Sequence, residues 1–358
     1  MSRLIPLIVI AVSVYFWWKS RQARKQAAPA EAQQARVSAR ALELGFLPED
    51  RLDTERSRPR EPHVAAAVAA ARAGDFAPAA ALLAGTVDGP DWELRTGLIG
   101  ALGDVAVDDD AWLTAWETAD PENPSAAAVR AWSTVGLAGK LRGSARASET
   151  SREQFDNFHR TMARADAEIT RAAELNPADP TPLISGIWVA LSLGAPHEDM
   201  RALWKRIEAR APHHYDAHFA ALQYWCQKWR GSVELATEFA QSAAAGAPRG
   251  SLLATLPLIS WYEHESFGHT DRGFTGPEVS ALVDALAADV AAAPAGHPHL
   301  PEARLLLAWY LVRLDRHAEA LEQFRIVDGF IGAFPWNYQA DPAGAYVRAR
   351  EKAIAGAS

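Results

Sequence analysis

From about residue 62 onward, apolar side chains recur three and four positions apart, and no stretch alternates apolar with polar or β-branched residues. Such spacing lines one stripe of an α-helix, whereas a half-buried strand requires a period of two. Ala and Leu dominate the periodic segments, while Pro and Gly fall mostly between them, where they stop helices. The pattern predicts an all-α chain, with antiparallel helix pairs covering residues 62–355.

A longer period lies over the helical one. RAAELNP, RIEARAP and SAAAGAP end at Pro177, Pro212 and Pro248, spacings of 35 and 36 residues. The next comparable proline, Pro294, comes after 46, which marks an insertion. A repeat of ~34 residues is the tetratricopeptide period. AGDFAPAAALL (Ala73–Leu83) and LAWYLVRLDRHAEALEQF (Leu307–Phe324) resemble that motif, the second with Ala308, Ala320 and Phe324 at the small and aromatic places. The resemblance implies helix pairs stacked as a superhelical array, whose concave surface takes another protein or a peptide. In the middle of the chain NPSAAAVRAW, RGS, Phe155, ELNPADPTP, VALSLG, PHHYDAHF and WRGSVELATEFA follow in order. This succession resembles an uncharacterised bacterial group, the domain of unknown function 4034 family. That resemblance implies a helical-repeat-like fold and no assigned activity.

The first 61 residues break the pattern. Leu4–Trp18 is an apolar run that ends in Tyr15, Phe16, Trp17 and Trp18, an aromatic group suited to a membrane interface. As a helix it would be ~22 Å long, and flanking residues with snorkelling charges extend it toward the roughly 30 Å hydrocarbon core. We read residues 1–20 as an N-terminal transmembrane anchor, residues 21–61 as a basic then charged linker, and residues 62–355 as the helical domain. The first part of the linker is compatible with a surface helix ending at Gly45, and its charged DTERSRPREP part with a linker or ordered edge strap. The bilayer contact is assigned to residues 4–18. Lys19, Arg21, Arg24 and Lys25 follow the run and only Arg3 precedes it, so the expected orientation leaves the body on the cytoplasmic face of a bacterial inner membrane. A cleaved secretory signal is the alternative, disfavoured by that basic block ahead of the small residues Ala27–Ala32.

Charge and cysteine content narrow the function classes. The chain carries −8 overall, but residues 1–40 hold seven Lys or Arg against Glu31 alone, so the remainder stands at −14. An acidic body does not suit a phosphate backbone, and no nucleic-acid partner is expected. The single cysteine, Cys226, allows no intramolecular disulfide and no zinc site with two cysteine ligands; its apolar neighbours predict a buried structural thiol.

Two clusters carry candidate chemistry. APHHYDAHFAALQYW (Ala211–Trp225) holds His213, His214 and His218, and an interval of four lets two imidazoles share a metal on one helical face. The repeat register argues instead for a turn after Pro212, with Asp216 as cap or first-turn acid and an apolar stripe of Tyr215, Phe219, Leu222, Cys226 and Trp229. WYEHESFGHTD holds Glu263, His264, Glu265, His269 and Asp271 at the polar end of an apolar helix. A metal-dependent hydrolase-like enzyme using 213–218 or 263–271 is therefore the runner-up to a non-catalytic interaction or scaffold module. GLAGKLRGS lacks the Ser or Thr and the earlier glycine of a P-loop, and DVAVDDD lacks the glycine and distal glutamate of a calcium loop. No motif implies a cofactor. The thirteen tryptophans are expected mainly to fill the core between Ala-rich helices.

Overall fold

The computed structural model describes residues 39–143, 151–265 and 271–357. The Leu4–Trp18 run, the remaining residues up to 38, Ser144 and His269 lie outside the described residues. Among the described residues every regular element is a helix, apart from an isolated bridge between Asp53 and Phe330. None of these helices is long and apolar enough to cross a membrane.

The chain divides into two compact units, residues 58–304 and residues 305–358 with the segment ending at Ser57. The first contains α1 (Pro62–Arg72), α2 (Ala77–Ala84), α3 (Trp92–Asp108), α4 (Ala111–Ala119), α5 (Pro124–Arg142) and α6 (Arg152–Leu175). It continues with α7 (Thr181–Leu193), α8 (His197–Glu208), α9 (Tyr215–Trp225), α10 (Val233–Gly246), α11 (Thr255–Glu265) and α12 (Pro277–Ala292). Each odd-numbered helix packs on the next odd-numbered one, from α1 through α11, as well as on its sequence neighbours, α8 meeting α9 through the Trp204 and His218 rings. Alternation of this kind produces two layers, one of odd-numbered and one of even-numbered helices.

Local chemistry sets the helix starts. The Asp91 carboxylate accepts from the Leu94 N–H at 2.9 Å, and the Asn123 side chain accepts from Ser125 and Ala126 ahead of α5. Ser151 and Gln154 exchange bonds at the start of α6, Ser151 Oγ accepting from the Gln154 N–H (3.2 Å) and Gln154 Oε1 from the Ser151 N–H (2.9 Å). Pro62, Pro124 and Pro277 open their helices, where the missing N–H needs no partner.

Between α3 and α5 the contact depends on glycine. An ideal Cβ on Gly103 would lie 2.4 Å from Trp132 Cδ1, and one on Gly100 3.1 Å from Trp132 Cζ2. Gly97, on the same helix, has nothing within 4 Å of its Cβ position. Gly103→Ala is expected to destabilise by about 1–3 kcal/mol through overpacking. Gly97→Ala should instead stabilise by about 0.5–1 kcal/mol, because only helix propensity changes. Urea midpoints of the two variants should move in opposite directions; a shift of the same sign would refute the packing account.

The other unit is built on the part of α13 (Leu300–Arg313) from Leu305 onward, α14 (His317–Val327) and α15 (Pro342–Gly356). Phe324, Trp336 and Tyr346 form an edge-to-face aromatic core, with Trp336 Nε1–H donating to the Leu305 carbonyl at 3.0 Å. Ala308, Ala320 and Phe324 are fully buried. Asp328 accepts from the Leu47 N–H (2.6 Å), from Arg350 Nη1 (2.9 Å) and from the Tyr346 hydroxyl (3.4 Å). The Asp53 N–H donates to the Gly329 carbonyl, and the Ile331 and Gly332 N–H groups donate to the Asp53 and Arg56 carbonyls.

One expected stripe is cut short. α9 ends at Trp225 instead of running on to Trp229, which is exposed in the following turn. The reversal seats Gly231 directly on the Trp225 backbone, where a Cβ would lie 1.7 Å from the Trp225 carbonyl oxygen. The Trp229 and Gly231 N–H groups both donate to the Cys226 carbonyl. The tryptophans also divide: Trp112, Trp116, Trp225 and Trp309 are buried, whereas Trp132, Trp188, Trp204 and Trp261 are only partly covered.

Candidate functional site

In the 58–304 unit, the first turns of α3, α7 and α9 and the residues before α13 bring polar side chains into one layer. Arg95 Nε donates to Asp179 Oδ2 at 2.5 Å, with both side chains fully buried. Thr96 Oγ1 lies 2.9 Å from Thr181 Oγ1 and 3.0 Å from His214 Nε2. His214 is the residue capping α9: its Nδ1 faces the Ala217 N–H at 3.5 Å, which leaves Nε2–H to donate to Thr96 and to the Trp92 carbonyl. Burial holds its pKa below the ordinary histidine value. The Tyr215 N–H donates to Glu93 Oε1 at 2.8 Å, and burial raises the pKa of that carboxyl group.

His299 completes the layer. Its ring stacks on Tyr215 at 4.3 Å, with Nδ1 2.9 Å from Glu302 Oε2 and Nε2 3.5 Å from Asp216 Oδ2. Burial opposes its charged form, but the Asp216 and Glu302 carboxylates outweigh burial and raise its pKa well above the ordinary value. Asp216 shows the reverse balance, with burial overcome by His299 and the pKa lowered. His297 sits 3.5 Å from Glu93 Oε2, its pKa lowered by burial and by neighbouring His299. These groups mostly satisfy one another, so the layer ties helix starts together across the stack.

The two clusters singled out in the sequence are not each drawn into a single site. His218 Nδ1 donates to the His214 carbonyl at 2.9 Å, and its ring lies against Trp204 and Phe239, away from the partners of the His214 ring. Burial lowers the His218 pKa to about 4. Asp216 is a first-turn acid and does not cap the helix. Glu263 is buried and accepts from Gln223 Nε2 (3.1 Å) and Lys228 Nζ (2.6 Å), while His264 Nδ1 donates to the Ser260 carbonyl (2.7 Å). Glu265 is exposed, and Asp271 opens a short 3-10 turn. Among the described residues no group of three or more His, Cys, Asp or Glu side chains is arranged to hold a metal ion. Cys226 is a buried thiol whose pKa burial pushes up to about 12.

A feature without a sequence motif is a row of hollows. One of about 360 Å³ lies between α4 and α6 over α5, lined by Glu117, Ala127 and Arg130. Another of about 350 Å³ lies between α6 and α8 over α7. Between α8 and α10, over α9, hollows of about 270 and 230 Å³ share Trp204, Phe239 and Ser242. The widest, about 490 Å³, lies between α10 and α12 over α11. All occupy the same place relative to the helix pairs, between successive even-numbered helices with an odd-numbered helix as floor. Trp204 and Phe239 meet edge to face at 5.2 Å, and the Arg201 guanidinium sits 5.4 Å above the Trp225 ring. No protein-family model, curated protein or solved structure matches the chain.

Proposed function

We propose that this chain is a helical-repeat interaction module whose body takes a polypeptide partner along the row of hollows between its even-numbered helices. The supporting observation is their recurrence: the same groove is repeated over α5, α7, α9 and α11, with aromatic anchors at its α8–α10 step. Stacked helix pairs offer extended surface and more often bind than catalyse. The alternation of helices is compatible with tetratricopeptide-like stacking, and we carry that assignment and the kinship with the domain of unknown function 4034 family as part of the proposal. The apolar Leu4–Trp18 run and the basic residues after it support a single-pass anchor that holds the body at the cytoplasmic face of a bacterial inner membrane. The hydrolase-like alternative has less to draw on, since His214, His218, Glu263 and His264 are hydrogen-bonded within the protein.

A photo-reactive side chain at Ser242, where the two α8–α10 hollows meet, should crosslink one discrete polypeptide in intact membranes. The same group at exposed Glu153 should not. Ala243→Trp, which fills the hollow, should abolish the adduct. Equal labelling at both positions, or an adduct indifferent to Ala243→Trp, would overturn the reading. The mass of the recovered chain should include residues 1–20, and a mass that begins after Lys25 would remove the anchor from the proposal.

A further inference from the structure

The hollow between α10 and α12 differs from its neighbours in charge. The hollows over α5 and α7 and the larger one over α9 each have an arginine among their lining side chains. Among the described residues, no lysine or arginine lines the α10–α12 hollow, while Glu265 at the end of α11 and Glu278 in the first turn of α12 both do. Both glutamates are exposed. The Trp261 ring lines the same space, with its Nε1–H already committed to the Gly273 carbonyl at 2.6 Å. Val233, Pro257 and Leu282 supply apolar wall.

A second, independent observation points to a ligand. Ser260 is 2% exposed, lines the hollow, and its Oγ has no hydrogen-bond partner among the described residues. Buried hydroxyls are ordinarily paired, so an unpaired one on a residue lining a cavity leaves a hydrogen-bonding position for a ligand atom or a water to complete. His264 lines the same hollow: its Nδ1–H donates to the Ser260 carbonyl, and its Nε2 accepts from the Gln227 N–H at 3.5 Å.

We infer that the α10–α12 hollow is a binding site for an alkylammonium group. Its N–H bonds would go to Ser260 Oγ and the glutamate carboxylates, its charge would face the Trp261 ring, and its hydrocarbon stem would lie on Val233, Pro257 and Leu282. An anion would meet two carboxylates with no lysine or arginine among the described lining residues to offset them. The inference does not depend on a polypeptide partner, because the group can arrive on a free amine or on a lysine side chain of a bound chain.

Three probes with one tail and different heads test it: hexylammonium, 1-hexanol and hexanoate, titrated calorimetrically into the full-length protein. Hexylammonium should bind saturably at one site per chain, hexanol more weakly and hexanoate not at all. Glu278→Gln and Ser260→Ala should each weaken hexylammonium about tenfold, as expected for loss of one charge-assisted bond, and Glu265→Gln/Glu278→Gln should abolish it. Asp108→Asn, on α3, should leave it unchanged. Competition by Nα-acetyl-lysine N-methylamide would assign the source to a lysine side chain, and failure to compete would assign it to a free amine. Equal binding of hexanol, non-saturable uptake, or a double Gln variant that binds like the parent would overturn the assignment.

Discussion

Asp179→Ala is expected to remove about 3–5 kcal/mol of stability, because it leaves the Arg95 guanidinium buried without its counter-charge. Arg95 is inaccessible to solvent and Asp179 nearly so, and Nε meets Oδ2 at 2.5 Å. The guanidinium also donates from Nη1 to Thr86 Oγ1 (3.1 Å) and Ser125 Oγ (3.2 Å), but Nη2 has no partner among the described residues. Asp179 Oδ1 meanwhile accepts from the Thr181 N–H at 2.8 Å, holding the first turn of α7. The pair thus joins α3, α5 and α7 at one point, and loss of either partner should be felt across all three. Arg95→Met alone should be nearly as harmful. Arg95→Met/Asp179→Leu should be less harmful than the two single losses added together, since no lone charge is left inside. Urea unfolding of the three variants is the measurement. A loss below about 1 kcal/mol in Asp179→Ala, or strict additivity in the double variant, would show that the pair is not acting as a buried ion pair.

Much of the architecture was legible before folding because it is written in local spacing. Apolar residues at three and four positions apart give helices, and Pro177, Pro212, Pro248 and Pro294 each stand a few residues ahead of an odd-numbered helix, α7, α9, α11 and α13. The stretched interval between Pro248 and Pro294 corresponds to the 3-10 turn at Asp271–Phe274 and the start of α12. The turn around His213 and His214 was legible for the same reason.

What spacing does not encode is contact between distant positions. Arg95 and Asp179 are 84 residues apart, and Glu93 and Tyr215 are 122 apart. Neither pair has a motif, and each residue alone reads as an ordinary first-turn or turn residue. The hollows are still less visible, since their lining combines small, aromatic and charged residues from three helices. The end of α9 was missed because Trp229 keeps the helical period while Gly231 requires the chain to reverse against Trp225. A glycine six residues after Trp225, followed by Ser232, which caps α10, was the available signal.

His218 should make the protein labile to acid in a way that one substitution repairs. Its Nδ1–H is bonded to the His214 carbonyl, and its ring is enclosed by Trp204 and Phe239, with His213 and His214 as titratable neighbours. Burial lowers its pKa to about 4 from an ordinary 6.5. The folded state therefore keeps it neutral where the unfolded chain has already bound a proton. Its contribution is fully present above pH 6.5 and is lost as pH falls toward 4. Between pH 7 and 4.5 the loss from this residue alone should be about 2–3 kcal/mol. His214 and His297, also lowered, add in the same direction. His299 acts oppositely: its pKa is raised, so its contribution is complete at low pH and fades only as pH climbs through the folded value. In His218→Phe the aromatic contacts persist and one hydrogen bond is lost, a cost of about 1 kcal/mol at pH 7. By pH 4.5 the variant should equal or exceed the parent, so the two stability–pH curves should cross. Parallel curves in urea titrations from pH 7 to 4.5 would mean that His218 is protonated in the folded protein and that its enclosure by Trp204 and Phe239 does not exclude the charge.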